Sequence, residues 1–343
     1  MYFEDLPHSR SMKAFGIDRY GNNDEVKSLE VSVPEIGARD LLILVKAASV
    51  NPIDLKIRSG EMKKLASFPF PLVLGHDCAG VVTKIGAEVK RFKVGDEIFC
   101  RADKTRIGTF AEFFAISESS AAIKPKNLSF VEAASLPLVG LTTMQAFERM
   151  KLKGGERIFI PAGSGGVGTF AIQLAKHRGL FVATTTSHKN KDFVKHLGAD
   201  VVIDYGSEDF SAKLSGYDAV FDILGGETQK KAFKILISGG HLVSVIGPPT
   251  YEFAKEWNLS PLIQLGTYFL GMNAHRRAEK QGAQYIFLLM QPNGRQLEEI
   301  GELAEAERIK PVLDKVFPFT QTKDALAYVE KGRARGKIVI EMK

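Results

Sequence analysis

The chain has 343 residues and a formal net charge of +6, enough length for two domains of average globular composition, each with its own core. The mild positive balance suits an anionic cofactor, but no basic block interleaved with aromatics points to nucleic acid, and no uncharged apolar stretch reaches the length of a bilayer span. Two cysteines make no disulfide framework, and an amino terminus carrying Glu4 and Asp5 is unlike a secretory signal, so a cytoplasmic location is expected.

In chain order, short apolar runs at 12–17, 41–48, 94–100 and 109–116, punctuated by Gly37, Gly75, Gly86 and Gly95, predict a β-rich first domain. Pro125 marks the way out of it. The second half alternates buried-strand candidates (157–162, 181–186, 201–204, 219–224, 241–246) with helical stretches at 169–177, 189–197 and 228–235. Strands alternating with helices predict a doubly wound parallel sheet. The segment 251–265, with Trp257 in it, reads as irregular. The run 283–290 supplies a sixth strand, a charged helix follows over 294–307, and the tail returns to strand, helix and strand at 310–319, 323–331 and 337–342. The expected division is a first domain over 1–131, completed by 309–343, with a nucleotide-binding domain over 132–308 between them.

The most informative stretch is the strand 157–162 with the turn that ends it. Gly163, Gly165 and Gly168 stand at the spacing of the dinucleotide fingerprint, with Ser164, Gly166 and Val167 filling the turn. The first glycine permits a tight turn, the second lets a pyrophosphate approach bare backbone, and the third lets helix and strand pack closely. The helix start then offers unpaired N–H groups and a positive dipole end to phosphate. About twenty residues on, NAD-specific folds carry an acid for the ribose 2′-hydroxyl. Here the second strand ends Thr184-Thr185-Thr186-Ser187, without one. Ser187, His188, Lys189 and Lys191 follow, donors and cations suited to a 2′-phosphate, so NADPH is the expected cofactor. In the first domain, Asn51-Pro52-Ile53-Asp54 is a candidate catalytic pair. Asn51 can donate through its amide, and Asp54 can orient a neighbour or a water. The same residues also suit a cap and turn at a helix start, and both readings can hold at once.

The motif order resembles the medium-chain dehydrogenase/reductase superfamily over nearly the whole chain. The resemblance is carried by Ala48 to Asp54, Gly75-His76-Asp77-Cys78-Ala79-Gly80-Val81-Val82, Val94-Gly95-Asp96-Glu97 and Gly140-Leu141-Thr142-Thr143. It continues through the glycine fingerprint, Leu197-Gly198-Ala199-Asp200, Val202-Ile203-Asp204-Tyr205 and Gly336-Lys337-Ile338-Val339. It implies an α/β protein with a GroES-like β-rich catalytic domain, a Rossmann domain and a cofactor in the cleft between them. Within the superfamily the chain is similar to the zinc-independent NADPH quinone oxidoreductases and alkenal/enone reductases. That places Asn51 and Asp54 at the nicotinamide end, Thr142 by the carboxamide or ribose, and Tyr205 near the adenosine phosphate. Leu224, Ile246, Phe269, Leu270 and Lys337 would lie along the nicotinamide half, with Phe269, Leu270 and Met272 lining an apolar acceptor pocket. In relatives the strand matching 283–290 pairs across a two-fold axis, which implies a homodimer. Zinc alcohol dehydrogenases have a cysteine where this chain has Asn51, and an amide is a poor zinc ligand. His76 matches their histidine position, and the cysteine-rich lobe for a structural zinc is absent. The expected reaction is therefore hydride transfer from NADPH to a quinone or to the C=C bond of an α,β-unsaturated carbonyl, without metal. The alternatives are a carbonyl-reducing alcohol dehydrogenase relative and an NADPH-binding redox-sensing or interaction protein with little turnover.

Overall fold

The computed structural model describes residues 11–63, 67–104 and 106–342; the first ten residues, read above for a signal sequence, lie outside them. The chain divides into two compact units, Thr142–Met290 and a unit made of Met1–Leu141 with Gln291–Lys343.

The Thr142–Met290 unit is built on a six-stranded parallel sheet. From one edge to the other run Val201–Asp204, Phe181–Thr186, Arg157–Ile160, Tyr217–Asp222, Leu236–Ser244 and Gln284–Phe287. In order of appearance this is 3-2-1-4-5-6, the doubly wound arrangement whose switch point lies between the first and fourth strands. After Arg157 the first strand is apolar because both faces are covered, with Ile158, Phe159 and Ile160 fully buried. On one face Phe159 stacks on Phe210 with ring centroids 4.6 Å apart. The helix Gly166–His177 buries Phe170, Ala171, Ile172, Leu174 and Ala175 as its inward stripe. The segment expected to be irregular is instead helical. Thr250 caps Tyr251–Glu256 by accepting the Phe253 N–H, and Pro261 opens a helix running to Lys280. Trp257 ends the first of these helices, its ring tilted against Phe253.

The other unit holds two sheets. The longer one runs Leu313–Pro318, Lys337–Glu341, Asp40–Val50, Asp77–Ile85, Glu97–Arg101 and Ala121–Ile123, with Phe113–Ser117 also paired to Asp40–Val50. A three-stranded sheet joins Lys27–Ser32, Ser11–Ile17 and Leu72–Val73. The tail strand is antiparallel to Asp40–Val50, with Ile338 opposite Val50 and Val339 opposite Ser49. Ser49 in turn faces Asp77, and Asp77 faces Arg101. This register sets Val339, Ser49, Asp77 and Arg101 in one row, with Lys337 two residues before Val339 on the tail strand.

The boundaries differ from the expected ones. The helix Gly294–Glu305 packs on the β-rich unit, not on the nucleotide unit. A methyl on Gly294 would come within 2.8 Å of the Ser119 and Ala121 carbonyl oxygens, the Lys126 N–H bonds Glu305, and Asn127 donates to the Ala304 carbonyl. The division therefore falls after Leu141 and after Met290, and the helix Pro137–Met150 runs across the first of these points.

Candidate active site

Asn51 ends the central strand in extended backbone and caps the helix Pro52–Ser59, with Pro52 at the first helical position. Asp54, one turn in, accepts the Asn51 backbone N–H at 2.7 Å. The Asn51 side chain is turned inward, where its Nδ2 donates to the Ser49 carbonyl (3.2 Å) and to Asp77 Oδ2 (2.9 Å). Its Oδ1 accepts from the Lys337 ammonium. Both amide protons are spent, so Asn51 cannot donate to an incoming oxygen as the sequence reading expected.

The other oxygen of Asp54 faces His76. Asp54 Oδ1 lies 2.5 Å from His76 Nδ1, and both groups are buried. Ser49 Oγ donates to Asp77 Oδ2, while Lys337 Nζ and Arg101 Nε each stand 3.9 Å from an oxygen of Asp77. The cluster thus holds the carboxylates Asp54 and Asp77 against the cations Arg101 and Lys337, with His76 between them, all at most 8% exposed. Buried charges persist only when matched in this way. Burial pushes the Asp77 carboxyl up, against the pull of Lys337 and Arg101. It pushes the Lys337 ammonium down, against Asp77 and Asp54. It also pushes His76 down, with Arg101 adding to the effect, so the imidazole is held toward its neutral form. His76, Asp77 and Arg101 were missed as site residues. The Asp77–Arg101 partnership comes from strand register, which a linear reading does not contain.

Zinc requires thiolate, imidazole or carboxylate ligands converging on one point. Here the amide oxygen of Asn51 faces an ammonium and His76 Nδ1 is committed to Asp54. Among the described residues no group of three His, Cys, Asp or Glu side chains could hold a metal ion. This donor set does not fit a zinc centre.

In the Thr142–Met290 unit the fingerprint forms the turn expected of it. A Cβ on Gly163 would lie 2.2 Å from Thr184 Oγ1, and one on Gly168 would lie 2.4 Å from the Ala162 carbonyl oxygen. Strand, turn and helix therefore pack with no room for a methyl. At Gly165 the nearest such atom is 3.4 Å away, so its surface is open. Gly165 caps Gly166–His177 without a side-chain hydrogen bond, leaving the first N–H groups, those of Gly166 and Val167 among them, for an anion. The residues present fit a pyrophosphate. Ser164 Oγ accepts from Thr186 Oγ1 and Asn190 Nδ2, tying the turn to the end of the second strand.

That rim carries one correction. Lys191, expected at a 2′-phosphate, is drawn to carboxylates, with its Nζ 3.4 Å from Glu208 and 3.9 Å from Asp204. Lys213, the Asp204 N–H and Lys191 hold the Glu208 carboxyl down at about 2. The second strand does end without an acid, but Asp204, opposite Thr186 on the next strand, is buried beside it and pairs with His188 at 3.3 Å. Lys189 is exposed and Ser187 half-buried. Tyr205, Leu224, Ile246, Phe269 and Leu270 are exposed apolar or aromatic surface of the same unit, and Thr142 is buried in its helix. At the ends of the fourth and fifth strands, Asp222 accepts from the Leu224 and Gly225 N–H groups, Gln229 Nε2 and Ser244 Oγ. This buried network, also unread in the sequence, fixes the turns that carry Leu224 and Ile246.

Fold and site together define a two-unit oxidoreductase with a dinucleotide-binding Rossmann unit and a β-rich unit holding a charge-balanced polar cluster. Residues 37–126 match the alcohol dehydrogenase GroES-like domain and residues 197–340 the zinc-binding dehydrogenase domain. A mitochondrial NAD(P)H oxidoreductase of Bos taurus is 36% identical over 98% of this chain and 90% of its own length. The 2-methylene-furan-3-one reductase of Solanum lycopersicum is 37% identical over 96% of this chain and 79% of its own. The solved quinone oxidoreductase from Coxiella burnetii superposes with a TM-score of 0.84 at 32% identity, covering 97% of this chain and all of that one. The chain belongs to the medium-chain dehydrogenase/reductase superfamily.

Proposed function

We propose that the protein transfers hydride from NADPH to a quinone or to the C=C bond of an α,β-unsaturated carbonyl, without zinc. The observation that carries the reading is the fingerprint turn, with open backbone at Gly165 leading into an uncapped helix start. The lack of an acid at the end of the second strand, with Ser187 and Lys189 just beyond it, supports the phosphorylated cofactor. Lys191 contributes less, because Glu208 and Asp204 already offset its charge. An electron-poor acceptor takes hydride without Lewis-acid help, which agrees with a donor set that does not fit zinc. The names of the relatives, reductases of enones and oxidoreductases of quinones, agree with that acceptor class. A homodimer through Gln284–Phe287, an edge strand paired on one side only, belongs to the same reading. So does a reducing, cytoplasmic setting in which Cys78 and Cys100 stay free thiols.

The test is NADPH oxidation against a panel of small quinones, enones and simple aldehydes, repeated with NADH and with a chelator. Turnover of quinones or enones that prefers NADPH and survives the chelator is expected. Turnover confined to aldehydes, or NADPH binding with no turnover on any acceptor, overturns the assignment.

A further inference from the structure

The two cysteines are 22 positions apart in sequence and directly opposite each other in the β-rich unit, Cys78 on Asp77–Ile85 and Cys100 on Glu97–Arg101. The Ala102 N–H donates to the His76 carbonyl at 2.7 Å, two positions along the ladder. By the alternation of antiparallel strands, Cys78 and Cys100 are therefore a hydrogen-bonded pair. Cα atoms of such a pair stand about 5.5 Å apart, inside the roughly 4.4–6.8 Å that a disulfide spans. The two Sγ atoms are already 3.3 Å apart, one thiol donating to the other, within the apolar core of the unit. A bond between two free thiols so placed needs only a short approach of their side chains and no change of register. We propose that Cys78 and Cys100 are an oxidative modification site, which peroxide converts into an intrachain disulfide stapling their two strands.

The reaction has two steps. Peroxide first oxidises one thiol: an S–O bond forms, the O–O bond breaks, and the departing oxygen takes the thiol proton and leaves as water. The sulfur of the other cysteine then attacks the sulfenic acid. The S–S bond forms, the S–O bond breaks, and the hydroxyl takes the second thiol proton as a second water. The sulfurs are oxidised and the peroxide oxygens reduced, so two thiols and one peroxide give one disulfide and two waters. With the second thiol in contact, the sulfenic acid is captured before it oxidises further. The closed fold slows the first step. Both side chains are fully buried, and the hydrogen bond to Cys100, with burial behind it, pushes the Cys78 thiol up. Oxidation therefore proceeds through local opening of the sheet. The weak place is near, because Cys100 pairs with Ala121 on Ala121–Ile123, an edge strand of only three residues. Once made, the bridge is sealed in the core and ties together the strands that carry Asp77 and Arg101.

The test is incubation of the purified protein with hydrogen peroxide, then alkylation in denaturant and peptide mapping without reductant. Linked peptides containing Cys78 and Cys100, lighter by two hydrogen atoms than their thiol forms, are expected. Conversion should quicken on warming toward the melting temperature, since opening limits it. The bridge closes a loop in the unfolded chain, so the oxidised protein should melt about 4 °C or more above the reduced one. Cys100→Ser should instead accumulate a sulfenic acid at Cys78 that a cyclic diketone traps, with no rise in melting temperature. Should that variant fail to fold, the mapping and the melting shift of the wild type decide alone. Both thiols recovered alkylated after warming with peroxide, sulfinic or sulfonic acid in place of the link, or a link only between two chains overturns the proposal. A bridged protein that melts no higher than the reduced one overturns the stapling.

Discussion

Gly165 and Gly168 lie three residues apart in one turn, and the structure gives them different tasks. A methyl on Gly168 would sit 2.4 Å from the Ala162 oxygen, 2.7 Å from the Gly163 Cα and 2.9 Å from its carbonyl carbon. All three are backbone atoms of a turn already held at φ 53° at Ala162, so nothing nearby can move aside cheaply. Overpacking of this kind costs about 1–3 kcal/mol, and a neighbourhood of backbone puts Gly168→Ala at the upper end. At about 2–4 °C per kcal/mol, thermal unfolding should come roughly 6–12 °C earlier. Gly165 has φ −80° and ψ 173°, open to any residue, and its added methyl meets only the Ala162 oxygen, at 3.4 Å. Gly165→Ala should therefore keep the melting temperature close to wild type while obstructing the pyrophosphate. An affinity for NADPH at least about tenfold weaker, or ~1.4 kcal/mol, is expected. Scanning fluorimetry without cofactor and a fluorescence titration with it separate the two effects. A Gly165→Ala protein that binds NADPH as tightly as wild type would refute the placing of the pyrophosphate on this turn. A Gly168→Ala protein of unchanged melting temperature would refute the packing argument.

Asp222→Ala removes the acceptor of the Leu224 and Gly225 N–H groups, Gln229 and Ser244, all bonded at 2.7–3.2 Å. Gln229 and Ser244 keep the Gly247 carbonyl, whereas the buried Gly225 N–H and the part-buried Leu224 N–H lose their acceptor. With an orphaned buried donor costing about 1–3 kcal/mol, a loss of about 2–3 kcal/mol should appear in the urea midpoint. Arg106, in a two-pronged pair at 2.7 and 2.8 Å, and the Gly37 N–H hold the Asp40 carboxyl below its usual range. Its contribution is complete above the unfolded value of about 3.9 and is lost as pH falls through the folded value. Because Arg106 is partly exposed, Asp40→Asn should cost only about 1 kcal/mol at neutral pH. The deficit should shrink toward zero in urea titrations run in strong acid; a deficit constant with pH would contradict the pairing.

The nucleotide unit was the more legible half because its signals are local. The apolar run 157–162, the three glycines and the helix behind them announce strand, turn and helix within one continuous stretch, and the alternation that follows fixes a parallel sheet. The helices at Tyr251–Glu256 and Pro261–Lys280 were hidden, since the second exposes Leu262, Leu265, Phe269 and Leu270 on its outer side and so lacks an amphipathic rhythm. In the β-rich unit Asn51 and Asp54 stood out by type and spacing, but the direction of the Asn51 amide depends on Lys337 and Asp77. Those partners arrive through strand register, a property of the assembled sheet. The charged helix expected over 294–307 belongs to the β-rich unit for a similar reason: Ser119, Ala121 and Asn127, which hold it, lie far back in the sequence. Lys191 looked free to meet a phosphate because Glu208, its partner, sits on a later turn.

The β-rich unit is closed by a strand made only after the whole nucleotide unit. Lys337 follows Asn51 by 286 residues, with the entire nucleotide unit synthesised in between. Until the tail emerges, Asn51 and Asp77 lack their ammonium and the central strand Asp40–Val50 has an unpaired edge where Lys337–Glu341 will lie. The nucleotide unit, continuous in sequence, can fold first and hold its shape while the older, amino-terminal half waits. Pairing Lys337–Glu341 with Asp40–Val50 is then the slow, long-range step that distant strand pairings impose. Nascent chains stalled before the tail should present a finished nucleotide unit beside a sticky, incomplete sheet, which makes this the stage at which a chaperone has most to protect.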